Sequence, residues 1–206
     1  MNIEKLKLFE SQFLMRYPDG FYSPEMIEIG KKHKMDKMVT LAQTSFQDDS
    51  FENPEMVISQ LIKLVSQSSM VSLFEKPKFR DGINAMSNEE RELLSEALKM
   101  LLYGDEAEGF KLFTDCLYQK RLAKWPLVTA CLAYFRPDTE VFVKPTTVKG
   151  IIKTLELEGV EYHPSPSYEF YKAYRDIINE LKGHVDVSLA PNNAAFSGFL
   201  MMFIGE

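Results

Sequence analysis

The side chains best suited to bind a ligand lie in and after residues 133–150, AYFRPDTEVFVKPTTVKG. Three of them are cations, one is a hydroxyl at the start of a predicted helix, and two are tyrosines whose rings could stack on a base. The start of a helix adds backbone N–H groups that point at an anion. The predicted ligand-binding residues are Arg136, Lys144, Thr147, Lys149, Tyr134 and Tyr168.

The charge of the chain is distributed unevenly. The whole sequence has 24 basic and 30 acidic residues, a net charge of −6, whereas residues 116–153 hold seven bases and only two acids. A local basic patch attracts anions even on an acidic protein. The sequence therefore predicts a site for a small phosphate or carboxylate ligand, or for a nucleic-acid backbone. The alternative is that these bases only neutralise the acids of neighbouring helices.

His163 is the one candidate for catalysis. It lies between Tyr162 and Pro164, and the ordinary pKa of histidine, near 6.5, suits a general base. A nearby tyrosine hydroxyl would complete such a site. Since the spacing places no carboxylate or nucleophile beside it, the sequence favours a binding protein over an enzyme.

The remaining motifs exclude several classes of site. Cofactor and metal signatures are absent, so neither a cofactor nor a metal is expected. Glu156 and Glu158 end the helix predicted after Thr147, and they would repel phosphate, which disfavours sequence-specific DNA binding. No apolar run is long enough to span a membrane. Cys116 and Cys131 lie in apolar runs, which predicts reduced core thiols in a cytoplasmic protein.

The elements that would position these residues are mostly helices. The pattern predicts a mainly α protein, an irregular multi-helix bundle with at most a small extended element near residues 140–143 and 160–163. It predicts one domain over residues 1–206, with a subdivision near 69–87 as an alternative. Residues 69–86 read as a loop with short helical turns, and the helix after Gly104 is expected to reach the bases before Trp125.

The C-terminal third carries a recognisable phrase, P-x-x-x-x-F-x-K-P, from Pro137 to Pro145. This segment resembles one that recurs in bacterial proteins without an assigned activity, where an apolar helix precedes the phrase and a helix follows it. The resemblance implies that Arg136, Pro137, Phe142, Lys144 and Pro145 belong to one structural unit. It implies no catalytic residue.

Three hypotheses result. The first is a cytoplasmic binding or interaction protein with an anion site in residues 116–153. The second is an enzyme that uses His163 with a nearby tyrosine. The third is a structural protein that assembles, as a homodimer, through its helical faces.

Overall fold

The computed structural model describes residues 1–204, so Gly205 and Glu206 of the predicted domain lie outside the described residues. Helices dominate this part of the chain, and none of its residues is assigned to a strand. The helices are α1 (Ile3–Arg16), α2 (Pro24–His33), α3 (Met35–Ser45), α4 (Pro54–Gln67), α5 (Glu75–Asn84), α6 (Asn88–Tyr103), α7 (Glu106–Gln119), α8 (Trp125–Phe135), α9 (Pro145–Thr154), α10 (Tyr168–Lys182) and α11 (Asn193–Met201). Short 3-10 turns occur at Gly20–Tyr22, Asp48–Glu52 and Val187–Leu189. The predicted mainly α multi-helix bundle is confirmed.

Polar caps begin several helices, because a side-chain oxygen satisfies one of the backbone N–H groups left free in the first turn. Asn2 accepts from the backbone of Lys5, and Asn53 begins α4 in the same way. Ser87 and Glu90 form the capping box that their spacing predicts at the start of α6.

The loop predicted over residues 69–86 is wrong, because α5 occupies its second half. Pro77 falls in the first turn of α5, where its missing N–H would have had no partner within the helix. Phe79 and Ile83, one turn apart, are fully buried and fix this helix on the core. Two core residues, one turn apart, therefore outweigh the turn signals of Pro77 and Gly82.

The end predicted for α7 is also wrong. The helix stops at Gln119, and Leu122 donates its backbone N–H back to the carbonyl of Leu117 at 2.8 Å. Arg121 adopts the left-handed conformation, with φ of 58°, that this type of helix end requires. The bases of residues 120–124 consequently lie in the connection to α8 and not in the last turn of α7.

The buried apolar residues form one core cluster, and its members range along the sequence from Leu6 to Phe203. Helix α8 lies within it, and nearly all of its residues are buried, as its apolar composition predicts. Helices α6 and α7 form a hairpin in which Gly109 lies against the backbone of Leu101, so closely that a Cβ atom at Gly109 would be 2.3 Å from the Leu101 nitrogen. Among residues 1–204, no helix combines the length and the apolarity needed to cross a membrane.

Candidate functional site

Tyr134 lies on the inner face of α8. Its side chain is fully buried, and its hydroxyl shares a hydrogen bond of 2.9 Å with Oγ of Ser68. Burial raises the pKa of the Tyr134 hydroxyl. This residue ties α8 to the end of α4 and does not face the surface on which a ligand would bind, which corrects its predicted role.

Arg136, directly after α8, is engaged by the protein itself. Its Nη2 donates to the carbonyl of Leu102, and its Nη1 lies 3.9 Å from Oε1 of Glu140. The guanidinium also lies over the ring of Phe135, 5.6 Å from the centroid. These contacts join the end of α8 to the end of α6. Arg136, which was predicted to bind a ligand, therefore serves to hold these helices together.

Tyr168 is the first residue of α10. Its hydroxyl donates to Oε2 of Glu106 at 2.8 Å, and its ring packs against Phe110. The tyrosine therefore bridges α10 and α7, because both its hydroxyl and its ring contact residues of α7.

The remaining three predicted residues lie at α9. Lys144 directly precedes the helix, Thr147 donates to the sulfur of Met201 at 3.6 Å, and Nζ of Lys149 lies 4.8 Å from the ring centroid of Tyr162. Within residues 1–204, neither lysine has a carboxylate oxygen within 4.0 Å. The predicted site thus separates into three residues in or directly before α9 and three residues used in packing.

His163 is exposed in the connection between α9 and α10. Only its backbone has a defined partner, because its carbonyl accepts from Nε1 of Trp125 at 2.7 Å. In the described part of the chain, its imidazole has no hydrogen bond to a tyrosine or a carboxylate. The geometry that a general base requires is therefore not assembled around it.

A buried ionic cluster brings together charged residues from three segments that are far apart in the sequence. Arg175 of α10 donates from Nη1 to both oxygens of Glu140 at 3.0 Å, and it also contacts Glu106 through Nη1 and Nη2. Tyr171, one turn earlier, donates its hydroxyl to Oε2 of Glu140 at 2.7 Å. The side chain of Glu140 is only 4% exposed and that of Arg175 only 12%. The cluster joins α7, the segment after α8, and α10.

The signal for this cluster is present in α10, although the sequence interpretation missed it. Tyr171 and Arg175 are four residues apart, so they share the face that is otherwise apolar. An arginine on a buried face requires a carboxylate partner, because an unpaired buried charge is costly. The partner itself, Glu140, is not identifiable without the tertiary structure.

Two amide side chains and one lysine donate hydrogen bonds to the backbone of the segment that carries Glu140. Asn193 donates to the carbonyl of Glu140 at 3.2 Å, and Asn179 donates to the carbonyl of Thr139 at 2.9 Å. Lys182 donates to the carbonyl of Asp138, and burial lowers the pKa of its ammonium group. These hydrogen bonds therefore hold residues 136–140 in a fixed position against the neighbouring helices.

Two further cations of the basic segment are neutralised by acids of other helices. Lys120 pairs with Glu90 at 2.9 Å, and Lys124 pairs with Glu75 at 3.2 Å. These contacts support the neutralising alternative for part of the segment. Arg121, between them, is exposed and has no carboxylate within 4.0 Å among residues 1–204.

An exposed apolar surface lies beside these cations. Phe74 is 82% exposed, Leu73 is 78% exposed and Tyr118 is 72% exposed. The ion pair between Glu75 and Lys124, at 3.2 Å, links the chain directly after Phe74 to the connection that follows Tyr118. We give the name Phe74 patch to the exposed residues of these two linked segments, Leu73, Phe74, Tyr118, Arg121 and Lys124.

A groove of about 420 Å³ lies at the part of the Phe74 patch that Tyr118, Arg121 and Lys124 form. Its lining residues are Tyr118, Gln119, Arg121, Ala123 and Lys124. A larger open groove, of about 730 Å³, lies between α3, the 3-10 turn Asp48–Glu52 and α4, where its lining includes Asp49, Glu52 and Lys63. Neither groove is lined by any of the ligand residues predicted from the sequence.

The turn that presents Leu73 and Phe74 is held by Ser72. The Ser72 carbonyl accepts from the backbone N–H groups of Glu75 and Lys76, and its Oγ accepts from that of Phe74. The two apolar side chains are thus presented by a hydrogen-bonded turn, directly before α5.

No group of three or more His, Cys, Asp or Glu side chains that could hold a metal ion occurs in the described residues. No family model, curated protein or solved structure matches the chain. The resemblance of residues 137–145 to a bacterial segment therefore stays a prediction.

Proposed function

We propose that this protein is an interaction protein and that it binds another macromolecule through the Phe74 patch. The observation that carries the proposal is the pair of adjacent, almost fully exposed apolar side chains, Leu73 and Phe74, on a hydrogen-bonded turn. Apolar side chains that are exposed together, next to polar residues, are typical of protein interaction sites.

The energetics support binding at this position. Burying a leucine or phenylalanine side chain that is otherwise exposed contributes about 1.5–3 kcal/mol. The bonded turn already orders the backbone that carries the two side chains, which lowers that part of the entropy cost of binding. Tyr118 adds an aromatic ring with a polar end, a residue type that is enriched in the centre of interfaces.

A second candidate is the anion site predicted from the sequence, reduced to the surface of α9. It is favoured by Lys144 and Lys149, which have no carboxylate partner within 4.0 Å in residues 1–204. Titration with inorganic phosphate and with a short single-stranded DNA, monitored by thermal stability, tests it. The absence of stabilisation by millimolar phosphate and by the DNA would exclude this site.

The cytoplasmic location and the homodimer stay predictions.

The experiment for the Phe74 patch is a selection from a random dodecapeptide display library on the immobilised full-length protein. The variant Leu73→Ser/Phe74→Ser serves for counter-selection. The matched control is Met15→Ser on α1, since Met15 is also 82% exposed but lies outside the patch. We expect peptides that bind the wild type and Met15→Ser but not the double variant. Peptides that bind all three proteins equally would refute the proposal.

A further inference from the structure

The cations around the Phe74 patch exceed the acids available to neutralise them. Lys76 and Lys78 follow Phe74 in the first turn of α5, and Arg121 lines the groove together with Tyr118. Within residues 1–204, none of these three has a carboxylate oxygen within 4.0 Å, whereas Glu75 is already paired with Lys124. The apolar surface is therefore bordered by free positive charge.

The backbone of Arg121 supports a role for its side chain. The residue occupies the left-handed position at the end of α7, where glycine is usual because a Cβ atom there is unfavourable. Its guanidinium makes no hydrogen bond or ion pair to the described residues that would explain an arginine at this position. The side chain instead lies at the wall of the groove.

Resting on the proposed function, we propose that the partner of the Phe74 patch is an acidic polypeptide segment with an apolar or aromatic anchor. The anchor would contact Leu73, Phe74 and Tyr118, while its carboxylates would face Lys76, Lys78 and Arg121. A cationic border of this kind increases the association rate with an acidic partner and selects against basic ones.

A polypeptide fits this surface better than an anionic lipid layer does. The groove between Tyr118 and Lys124 is an open, shallow depression, which a side chain of a bound segment can enter and a flat layer of head groups cannot fill. The net charge of −6 also opposes adsorption of the whole molecule to an anionic surface. A short segment, in contrast, experiences mainly the charges within about one Debye length, roughly 8 Å at physiological salt.

The peptides recovered in the selection test the inference. We expect Asp and Glu to be enriched in them relative to the starting library, and their affinity, measured by fluorescence anisotropy, to fall as salt rises. The variant Lys76→Glu/Lys78→Glu should weaken binding by roughly tenfold, because attraction to the carboxylates of the peptide becomes repulsion. Acids in the first turn of a helix are favourable, so this variant is expected to fold. The matched control is Lys144→Glu/Lys149→Glu at α9, which avoids the last turn of that helix and should bind as the wild type does.

Arg121→Gly separates recognition from structure. Glycine relieves the left-handed position, so the midpoint of urea unfolding should rise while the affinity for the acidic peptides falls severalfold. A role of Arg121 in the fold alone would leave the affinity unchanged.

The outcomes distinguish the two proposals. Peptides that require Leu73 and Phe74 but carry no excess of acids, or that bind Lys76→Glu/Lys78→Glu normally, overturn the inference and leave the interaction site in place. Peptides that do not require Leu73 and Phe74 overturn both. Binding to phosphatidylserine vesicles that depends on Leu73 and Phe74, in the absence of recovered peptides, overturns the inference in favour of a lipid surface.

Discussion

Arg175 donates from Nη1 to both carboxylate oxygens of Glu140 at 3.0 Å, in a position where both side chains are largely buried. The two residues come from α10 and from the segment after α8, and Glu106 joins them from α7. A charge that is held this way depends strongly on its partner, because removal of one member leaves the other buried without compensation.

Replacing Arg175 with methionine should therefore lower the free energy of unfolding by about 3 kcal/mol. The double variant Glu140→Gln/Arg175→Met should recover part of that loss, since it leaves no uncompensated charge at residue 140. Urea unfolding of the two single variants and of the double variant measures the coupling.

Lys172→Met on the same helix is the matched control. Lys172 pairs with Asp176 at the surface, so its loss should cost about 0.5 kcal/mol or less. Additive effects of Glu140→Gln and Arg175→Met would contradict the coupling between Arg175 and Glu140.

Glu106 should make the free energy of unfolding depend on pH in the acidic range. Burial raises the pKa of this carboxyl, but the hydrogen bonds from Arg175 and Tyr168 outweigh it, so that the pKa lies below its ordinary value of 4.5. A group whose pKa is lowered by folding stabilises the protein above the ordinary pKa, and this contribution is lost as the pH falls through the folded value. Unfolding of wild type and Glu106→Gln between pH 3 and pH 7 should give a difference that is constant above about pH 5.5 and shrinks below pH 4.5. An undiminished difference at pH 3 would contradict the shift.

The helices were predictable because their signals are local. The cap at Asn2, the capping box at Ser87 and the apolar sequence of α8 depend on neighbours within a few residues. Helix α5 escaped prediction because its stability comes from Phe79 and Ile83 in the core, which outweigh Pro77 and Gly82.

The site was less predictable because it depends on direction and distance. Tyr134 and Arg136 are close to Lys144 in the sequence, but α8 ends between the tyrosine and the lysine and turns Tyr134 inward. The basic composition of residues 116–153 was visible, whereas the pairing of Lys120 and Lys124 with distant acids was not. Leu73 and Phe74 lie within the region interpreted as a loop, and which apolar side chains of that region are exposed depends on how α5 packs on the core.

The two thiols should differ in reactivity. Burial raises the pKa of Cys131 strongly, and burial together with Asp115 raises that of Cys116, which is only partly buried. Because the thiolate is the reactive species, Cys116 should react with a disulfide reagent at pH 8 well before Cys131. Absorbance should report a single slow thiol in the native protein and two thiols in denaturant. Cys116→Ser should remove the native reaction, and Cys131→Ser should retain it.

Phe79 and Phe74 provide a direct comparison of a core residue with a patch residue. Phe79 is fully buried, so Phe79→Ala should lower the free energy of unfolding by about 3–5 kcal/mol through lost burial and the resulting cavity. Phe74→Ala should change it by no more than about 0.5 kcal/mol, because the ring of Phe74 is almost entirely exposed. Chemical unfolding of both variants, with circular dichroism as the readout, measures the two values. If Phe74→Ala destabilised the protein as much as Phe79→Ala does, Phe74 would belong to the core and could not serve as the centre of an interaction surface.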